Sequence, residues 1–123
     1  MSRRVLDVGN CSADHASISS MIESRFDASV TQVHDADEAM QALADGQFDL
    51  VLINRLMDRS GASGLDIIKR IKSDANSAST PVMMITNYEE HQQLATEAGA
   101  VLGFGKQALN LPATITLLAE YLD

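Results

Sequence analysis

The chain is poor in several residue types that would point to particular classes of protein. Cys11 is its single cysteine, so no intrachain disulfide can form, and a lone thiol fits a reducing compartment. Only 9 of the 123 residues are Lys or Arg against 17 acids, and the net charge of −8 argues against a nucleic-acid-binding surface. No apolar run approaches the roughly 20 residues that span a bilayer, and the apolar stretch after the basic start is too short for a signal peptide. We therefore expect a cytoplasmic protein that binds neither membrane nor nucleic acid.

Apolar runs alternate regularly with amphipathic stretches along the chain. The runs predict five strands, at residues 5–8, 28–33, 50–53, 81–85 and 101–104, and a stretch with helical spacing follows each of them. The central runs are apolar throughout, which implies cover on both faces of the sheet. The pattern predicts an α/β fold, a doubly wound parallel sheet of five strands with five helices, as one domain over residues 1–123.

Local signals predict how some of the helices begin and pack. Ser12 and Asp14 are candidate caps for the first helix, and a capping box is expected where the second helix begins, at residues 35–38. The helix predicted over residues 89–98 is weakly apolar, and Leu94, Ala95 and Ala98 are its candidate buried positions.

The residues that follow the strands predict where a functional site would lie, because the carboxyl ends of parallel strands meet at one edge of the sheet. Those residues are small or polar: Gly9, Asn10, Cys11, Asn54, Arg55, Thr86, Asn87, Gly105 and Lys106. They include no histidine and no pair of titratable groups suited to acid and base roles. An enzyme is therefore the least favoured class, and we expect no catalytic residue, metal or cofactor.

Four segments resemble, in order and spacing, the receiver domain of two-component response regulators. They are FDLVLIN, SGLDIIKRIK, TPVMMITNY and AGAVLGFGK. The resemblance extends over the whole chain and implies a CheY-like, flavodoxin-like fold with strand order 2-1-3-4-5. It also implies that position 54 is the phosphoacceptor position, that Thr86 is the switch threonine and that Lys106 is the family's invariant lysine.

The chain departs from the family pattern at several of its functional positions. Gly9 and Asn10 stand where the family has an acidic pair, Asn54 replaces the phosphoacceptor aspartate, and Gly103 occupies the aromatic switch position. Gln107 replaces the proline that usually follows the lysine, so we expect a trans peptide there. Mg²⁺ binding normally uses carboxylates, and an amide oxygen is a poor nucleophile. We predict a degenerate phosphorylation pocket formed by Gly9, Asn10, Asn54, Thr86 and Lys106, with no phosphorylation at position 54.

Lys106 would lack its usual acidic surroundings in such a pocket. A cation near the surface then pairs with another carboxylate or with a solvent anion. The candidate carboxylates are Asp7, which is unusual inside a strand, and Asp58, in the loop after the third strand. Retention of Thr86 and Lys106 for packing alone remains an alternative. Cys11 and His15 are four residues apart, but two ligands do not make a structural zinc site.

The resemblance implies a role in two-component, or phosphorelay, signal transduction. The favoured hypothesis is a pseudo-receiver that acts by protein–protein interaction without phosphorylation. By resemblance its working surface spans Glu89 to Leu122 and contacts a histidine kinase, a phosphotransfer protein or an output domain; a homodimer is left open. One alternative is a competitor that docks to a kinase or phosphotransfer protein. Another is a binder of a small anion or nucleotide-type ligand at the strand ends, which the absence of Trp and the presence of only two Tyr disfavour for a flavin.

Overall fold

The computed structural model describes residues 2–123, and within them five strands and five α-helices form three layers. Their order along the chain is β1 (Arg3–Val8), α1 (Ser12–Arg25), β2 (Ala28–Val33), α2 (Ala36–Asp45), β3 (Leu50–Asn54), α3 (Gly64–Ser73), β4 (Val82–Ile85), α4 (Glu89–Glu97), β5 (Val101–Phe104) and α5 (Pro112–Leu122). All strand pairs are parallel, and the sheet order is β2-β1-β3-β4-β5. The predicted fold class and strand order are confirmed. Met1, the first residue of the predicted domain, lies outside the described residues.

Two apolar layers cover the sheet, as the apolar central runs predicted. Successive residues of β3 point to opposite faces. Val51 and Ile53 pack with α2, α3 and α4, while Leu50 and Leu52 pack with α1 and α5. This double cover explains why β3 carries no polar residue before Asn54. In the part of the chain that the structure describes, no helix has the length and apolarity to cross a membrane.

The helix beginnings follow the sequence signals in one case and depart from them in another. At α2, the side chain of Asp35 accepts a hydrogen bond from the Glu38 amide, and the Glu38 carboxylate accepts one from the His34 amide. The predicted box therefore forms, with its return bond displaced by one residue. At α1 the capping residue is Cys11, not Ser12 or Asp14, because the helix already begins at Ser12 and the Cys11 sulfur accepts the amide of the third helical residue.

The buried face of α4 differs from the prediction. Leu94 is 46% exposed, Ala98 is only partly buried, and Ala95 is the one predicted position that is fully buried. Gln92 is buried in their place. The apolar pattern of α4 did not predict its buried face, because that face includes the amide side chain of Gln92, which forms hydrogen bonds with the sheet.

The position of Leu52 at the centre of the sheet predicts a large stability effect. Leu52→Ala should lower the free energy of unfolding by about 2–5 kcal/mol, because Leu52 is completely buried and its loss leaves a cavity. Leu102→Ala, on the exposed side of β5, is the matched control and should change it by less than about 0.5 kcal/mol. Urea unfolding measures both, and equal effects would contradict this view of the core.

Candidate functional site

Asn54 ends β3 at the carboxyl edge of the sheet, and its side chain ties down the loop that follows. Its Nδ2 donates to the carbonyl oxygens of Gly9, at 3.2 Å, and Leu56, at 2.8 Å. Its Oδ1 accepts a hydrogen bond from the Arg55 amide, at 3.1 Å. A carboxylate cannot donate, so an aspartate here would face two carbonyl oxygens without a proton between them. The amide at position 54 therefore has a structural use of its own.

Gly9, the first of the two positions that the resemblance assigns to an acidic pair, packs against Met57 of the loop after β3. Gly9 has a φ of +79°, and a Cβ built on it would overlap the sulfur of Met57. Met57 is 1% exposed, and the Gly9 carbonyl accepts a hydrogen bond from the next amide, that of Asp58, at 2.9 Å. The loop after β3 thus folds over the end of β1. The thioether of Met57 fills the space that a side chain at position 9 would need.

Asn10 lies beneath the edge rather than on it, in a buried polar cluster with Asp7 and His15. Asp7 is completely buried, and one of its carboxylate oxygens accepts a short hydrogen bond from the Asn10 Nδ2. Its other oxygen lies 2.7 Å from the His15 Nδ1. The Asn10 Oδ1 is buried without a hydrogen-bond partner among residues 2–123. Sequence reasoning missed this cluster because His15 reaches it from α1 and not from a strand end.

Burial determines the direction in which the pKa of Asp7 is shifted. Loss of solvent raises the pKa of the Asp7 carboxyl above its ordinary value, and this outweighs the hydrogen bonds from His15 and Asn10. The charges of His15 and Lys106 also favour the ionised form without reversing the shift. Asp7 is therefore more easily protonated in the fold than in the unfolded chain.

Lys106 pairs with a carboxylate, but with neither of the two candidates named from the sequence. Its Nζ lies 2.7 Å from Asp14 Oδ2, in the first turn of α1. Both oxygens of Asp7 are already bonded to His15 and Asn10, and Asp58 is exposed on the loop after β3. The hydrogen bond from Lys106 lowers the pKa of the Asp14 carboxyl. Both partners are partly exposed, so the pair contributes little to stability.

Thr86 and Gln107 are each held by a hydrogen bond with a residue of the segment between β4 and α4. The Thr86 hydroxyl accepts a hydrogen bond from the Tyr88 amide, at 3.2 Å, just before α4 begins. Asn87 Oδ1 accepts one from the Gln107 amide, at 3.1 Å, and it fills the space beside Gly105 that a Cβ would need. No peptide bond within residues 2–123 is cis, so the one before Gln107 is trans, as predicted.

Gln92 joins α4 to both neighbouring strands beside Gly103. Its Nε2 donates to the carbonyl oxygen of Met84, at 2.8 Å, and more weakly to that of Thr86. Its Oε1 accepts the Gly103 amide, at 2.9 Å. A Cβ at position 103 would overlap the Met84 carbonyl and crowd the Gln92 amide. The aromatic switch position is therefore closed to any side chain in this conformation.

Three of the five predicted pocket residues come together at the surface. Asn54, Thr86 and Lys106 line one shallow cavity of about 130 Å³ whose lining contains no acidic side chain. Gly9 is covered by Met57, and Asn10 is buried below the edge. Among residues 2–123 no three His, Cys, Asp or Glu side chains are grouped as metal ligands. The cavity therefore offers the ammonium group of Lys106 and the hydroxyl of Thr86, but no carboxylate.

The chain is similar in sequence and in fold to response regulators. The family model described as "Response regulator receiver domain" matches residues 12–108. The chemotaxis protein CheY-3 of Vibrio cholerae is 32% identical over 102 residues, which cover 79% of this chain and 73% of that protein. The structure of CheY4 of Vibrio cholerae has a TM-score of 0.77 at 20% identity and covers 99% of this chain and 100% of that chain. The signal receiver domain of a DNA-binding response regulator from Colwellia psychrerythraea has a TM-score of 0.80 at 21% identity, with 96% of each chain covered.

The raised pKa of Asp7 predicts a pH-dependent effect of Asp7→Asn. In the native protein, the stability gained by holding Asp7 protonated is present below the ordinary aspartate pKa of about 3.9 and is lost as pH rises through the higher folded pKa. The permanently neutral amide of the variant suffers no such loss. The unfolding free energy of the variant minus that of the native protein should therefore increase with pH in this range and then level off.

Urea unfolding between about pH 3 and pH 8 measures this difference. Leu52→Ala, which changes no charge, should show a constant difference over the same range. A pH-independent difference for Asp7→Asn would contradict the raised pKa.

The contact between Gly9 and Met57 predicts a non-additive pair of substitutions. Gly9→Ala should destabilise the protein by about 1–2 kcal/mol through its left-handed backbone and by roughly 1–3 kcal/mol more through overlap with Met57. Gly61→Ala is the matched control, because Gly61 has a similar φ of +73° and open space around its Cβ position. It should show the backbone cost alone.

In a Met57→Ala background, the cost of Gly9→Ala should fall to that of the Gly61 control. Urea unfolding of the two single variants and the double variant gives the coupling energy, expected at about 0.5–3 kcal/mol. Additive effects would show that the sulfur does not restrict position 9.

Proposed function

Because the chain belongs to the response regulator receiver domain family, we propose that it is a two-component signalling module that acts by protein contact without taking up a phosphoryl group. The observation that carries this proposal is that protein groups fill the part of the predicted pocket around Gly9 and Asn54. Met57 fills the space beside Gly9, and the Asn54 amide is engaged by Gly9 and Leu56. Positions 9 and 54 are therefore held by packing and by hydrogen bonds between uncharged groups, which leave no place for an acid at position 9.

Phosphoryl transfer to a receiver needs a carboxylate nucleophile and a bound Mg²⁺. Asn54 provides an amide whose oxygen already accepts a hydrogen bond from Arg55. Mg²⁺ favours carboxylates in an octahedral arrangement, and the cavity that Asn54 shares with Thr86 and Lys106 has none. Catalysis by this edge is therefore not part of the proposed function, and neither is a metal or cofactor.

The hydrogen bonds of Thr86 and Gln92 also support the proposal, because they stabilise one conformation without a bound phosphoryl group. The Thr86 hydroxyl is held by the amide of Tyr88, and Gln92 bonds to β4 and β5 at once. A conformational change would break these buried hydrogen bonds, each at a cost of about 1–3 kcal/mol when a group is left unsatisfied. We propose that the surface from Glu89 to Leu122 is presented constantly to a histidine kinase, a phosphotransfer protein or an output domain in the cytoplasm.

The proposal predicts that phosphate analogues have no effect. Acetyl phosphate should give no increase in intact mass, and beryllofluoride with Mg²⁺ should leave the amide spectrum around residues 54–58 and 86–106 unchanged. A mass increase, or an Mg²⁺-dependent shift of these amides, would refute phosphorylation-independent action.

Asn54→Asp alone should also take up no phosphoryl group, because the Mg²⁺ ligands remain absent. It should lower the unfolding free energy by about 1–3 kcal/mol, because the carbonyl oxygens of Gly9 and Leu56 each lose the hydrogen bond from Asn54 and lie next to a carboxylate instead. Asn110→Asp, at an exposed position, is the matched control and should change it by less than about 0.5 kcal/mol. Efficient phosphorylation of the Asn54→Asp variant would contradict the occupied-pocket argument.

A further inference from the structure

A small cavity between α3 and α4, the α3–α4 cavity, lies on the side of α4 away from β5. Its volume is about 180 Å³. Its apolar lining residues are Leu56, Leu65, Met84 and Leu94, and its ionisable ones are Arg55 and His91. Its lining does not include Asn54, Thr86 or Lys106, so an occupant of it would not be bound in the predicted phosphorylation pocket.

Backbone hydrogen bonds fix the wall that the loop after β3 contributes to the α3–α4 cavity. The Gly64 amide donates to the Arg55 carbonyl at 2.7 Å, and Leu56 pairs with Ser63 in an isolated antiparallel bridge. The Leu56 carbonyl also accepts the hydrogen bond from Asn54 at 2.8 Å. The cavity is therefore formed before a ligand enters, and binding needs no further ordering of this loop, which favours affinity.

Apolar surface extends from the buried sheet to the mouth of the cavity. Met84 of β4 is 2% exposed, whereas Leu56 is 41% exposed and Leu94 is 46% exposed. The ring of His91 is edge-on to that of Tyr88, with the centroids 5.8 Å apart. Exposed apolar groups gathered in one concave region are typical of a contact site.

The charge at the cavity is positive although the chain as a whole is acidic. Arg55 is partly buried, and among residues 2–123 it takes part in no ion pair and its guanidinium forms no hydrogen bond. No acidic side chain of this part of the chain lines the cavity. A guanidinium matches a carboxylate with two parallel hydrogen bonds, so the group that complements Arg55 is a carboxylate.

The volume of the cavity limits the size of the apolar group that it can hold. An apolar cavity of about 150 Å³ is enough for a benzene ring, whereas drug-sized ligands occupy roughly 300–1,000 Å³. The thioether of Met84 and the guanidinium of Arg55 both interact favourably with an aromatic ring. These properties favour a single aromatic ring over an alkyl chain or a larger ligand.

We propose that the α3–α4 cavity binds a small monocyclic aromatic carboxylate. The ring packs among Leu56, Met84 and Leu94, and the carboxylate bonds to Arg55. A single side chain of a partner protein supplies either a ring or a carboxylate and not both, so the occupant is a free acid. This site does not depend on the proposed function, because it uses neither a phosphoryl group nor the surface from Glu89 to Leu122 as a protein contact.

Titration of the ¹⁵N-labelled full chain with benzoate and phenylacetate tests the site. Either acid should shift the amides of residues 55–57, 63–65 and 91–94, with a dissociation constant of about 1 mM or below for a ligand of this size. Acetate, which lacks the ring, and benzyl alcohol, which lacks the charge, should each bind at least about tenfold more weakly. No shift with either aromatic acid, or equal binding of acetate, would overturn the proposal.

A substitution at Arg55 tests the role of the charge. Arg55→Gln should weaken benzoate binding about tenfold or more and leave the weak binding of benzyl alcohol unchanged, which also shows that the variant is folded. Arg59→Gln, at an exposed position of the same loop, is the matched control and should bind both ligands as the native protein does. Equal effects of the two substitutions on benzoate binding would indicate general attraction of an anion and overturn the proposal.

A substitution at Leu94 tests the apolar part of the cavity. Leu94→Ser should weaken binding of benzoate and of benzyl alcohol several-fold each, because both ligands carry the ring. Leu102→Ser, at an exposed leucine of β5, is the matched control and should change neither. Benzoate binding that is insensitive to Leu94→Ser would contradict the assigned position of the ring.

Three further outcomes would identify a different site or a different occupant, and each would overturn the proposal. Benzoate shifts confined to residues 86–88 and 106 would place the anion beside Lys106. Concentration-dependent shifts of residues 55–57 and 91–94 without ligand would indicate a second copy of this chain. Tighter binding of a peptide with adjacent Phe and Asp than of either free acid would indicate a partner protein.

Discussion

The packing of Met57 against Gly9 is the contact that organises the ends of β1 and β3 at the carboxyl edge of the sheet. It brings the loop after β3 over the end of β1, and the hydrogen bond from the Asp58 amide to the Gly9 carbonyl fixes it there. Because the loop returns to this point, the Asn54 amide can reach the carbonyls of both Gly9 and Leu56. Where β1 and β3 end, the edge is consequently closed by apolar packing and by hydrogen bonds between uncharged groups.

The same relation between a glycine and a neighbouring side chain occurs at two other places on this edge. Gln92 lies against Gly103, and Asn87 lies against Gly105. In both cases the side chain also bonds to a backbone amide of the same segment. Each of these glycines therefore has a partner side chain elsewhere in the chain, and the two residues of each pair depend on one another. A side chain at position 9 would occupy the space of the Met57 sulfur, and one at position 103 would overlap the Met84 carbonyl and crowd Gln92.

The sequence was sufficient for the fold because the signals for the fold are local. The period of the apolar residues identified the strands and most helix faces, and the fully apolar β3 implied cover on both sides. It was insufficient for the site because the contacts there join distant segments. Nothing at residue 57 indicates that its sulfur packs on Gly9, and the partner of Lys106 depends on where the first turn of α1 places Asp14. Gln92 was missed because a buried amide has no periodic signature.

The hydrogen bonds of Gln92 have a consequence for substitutions at position 103. An aromatic residue there would require the Met84 carbonyl to move, and the Gln92 amide holds that carbonyl by a hydrogen bond. Such a substitution by itself would carry a steric overlap, and loss of Gln92 by itself would remove the hydrogen bonds that join α4 to β4 and β5. A domain with about 5–15 kcal/mol of total stability tolerates few such changes. Gln92 and Gly103 are therefore constrained as a pair, and neither position can vary independently of the other.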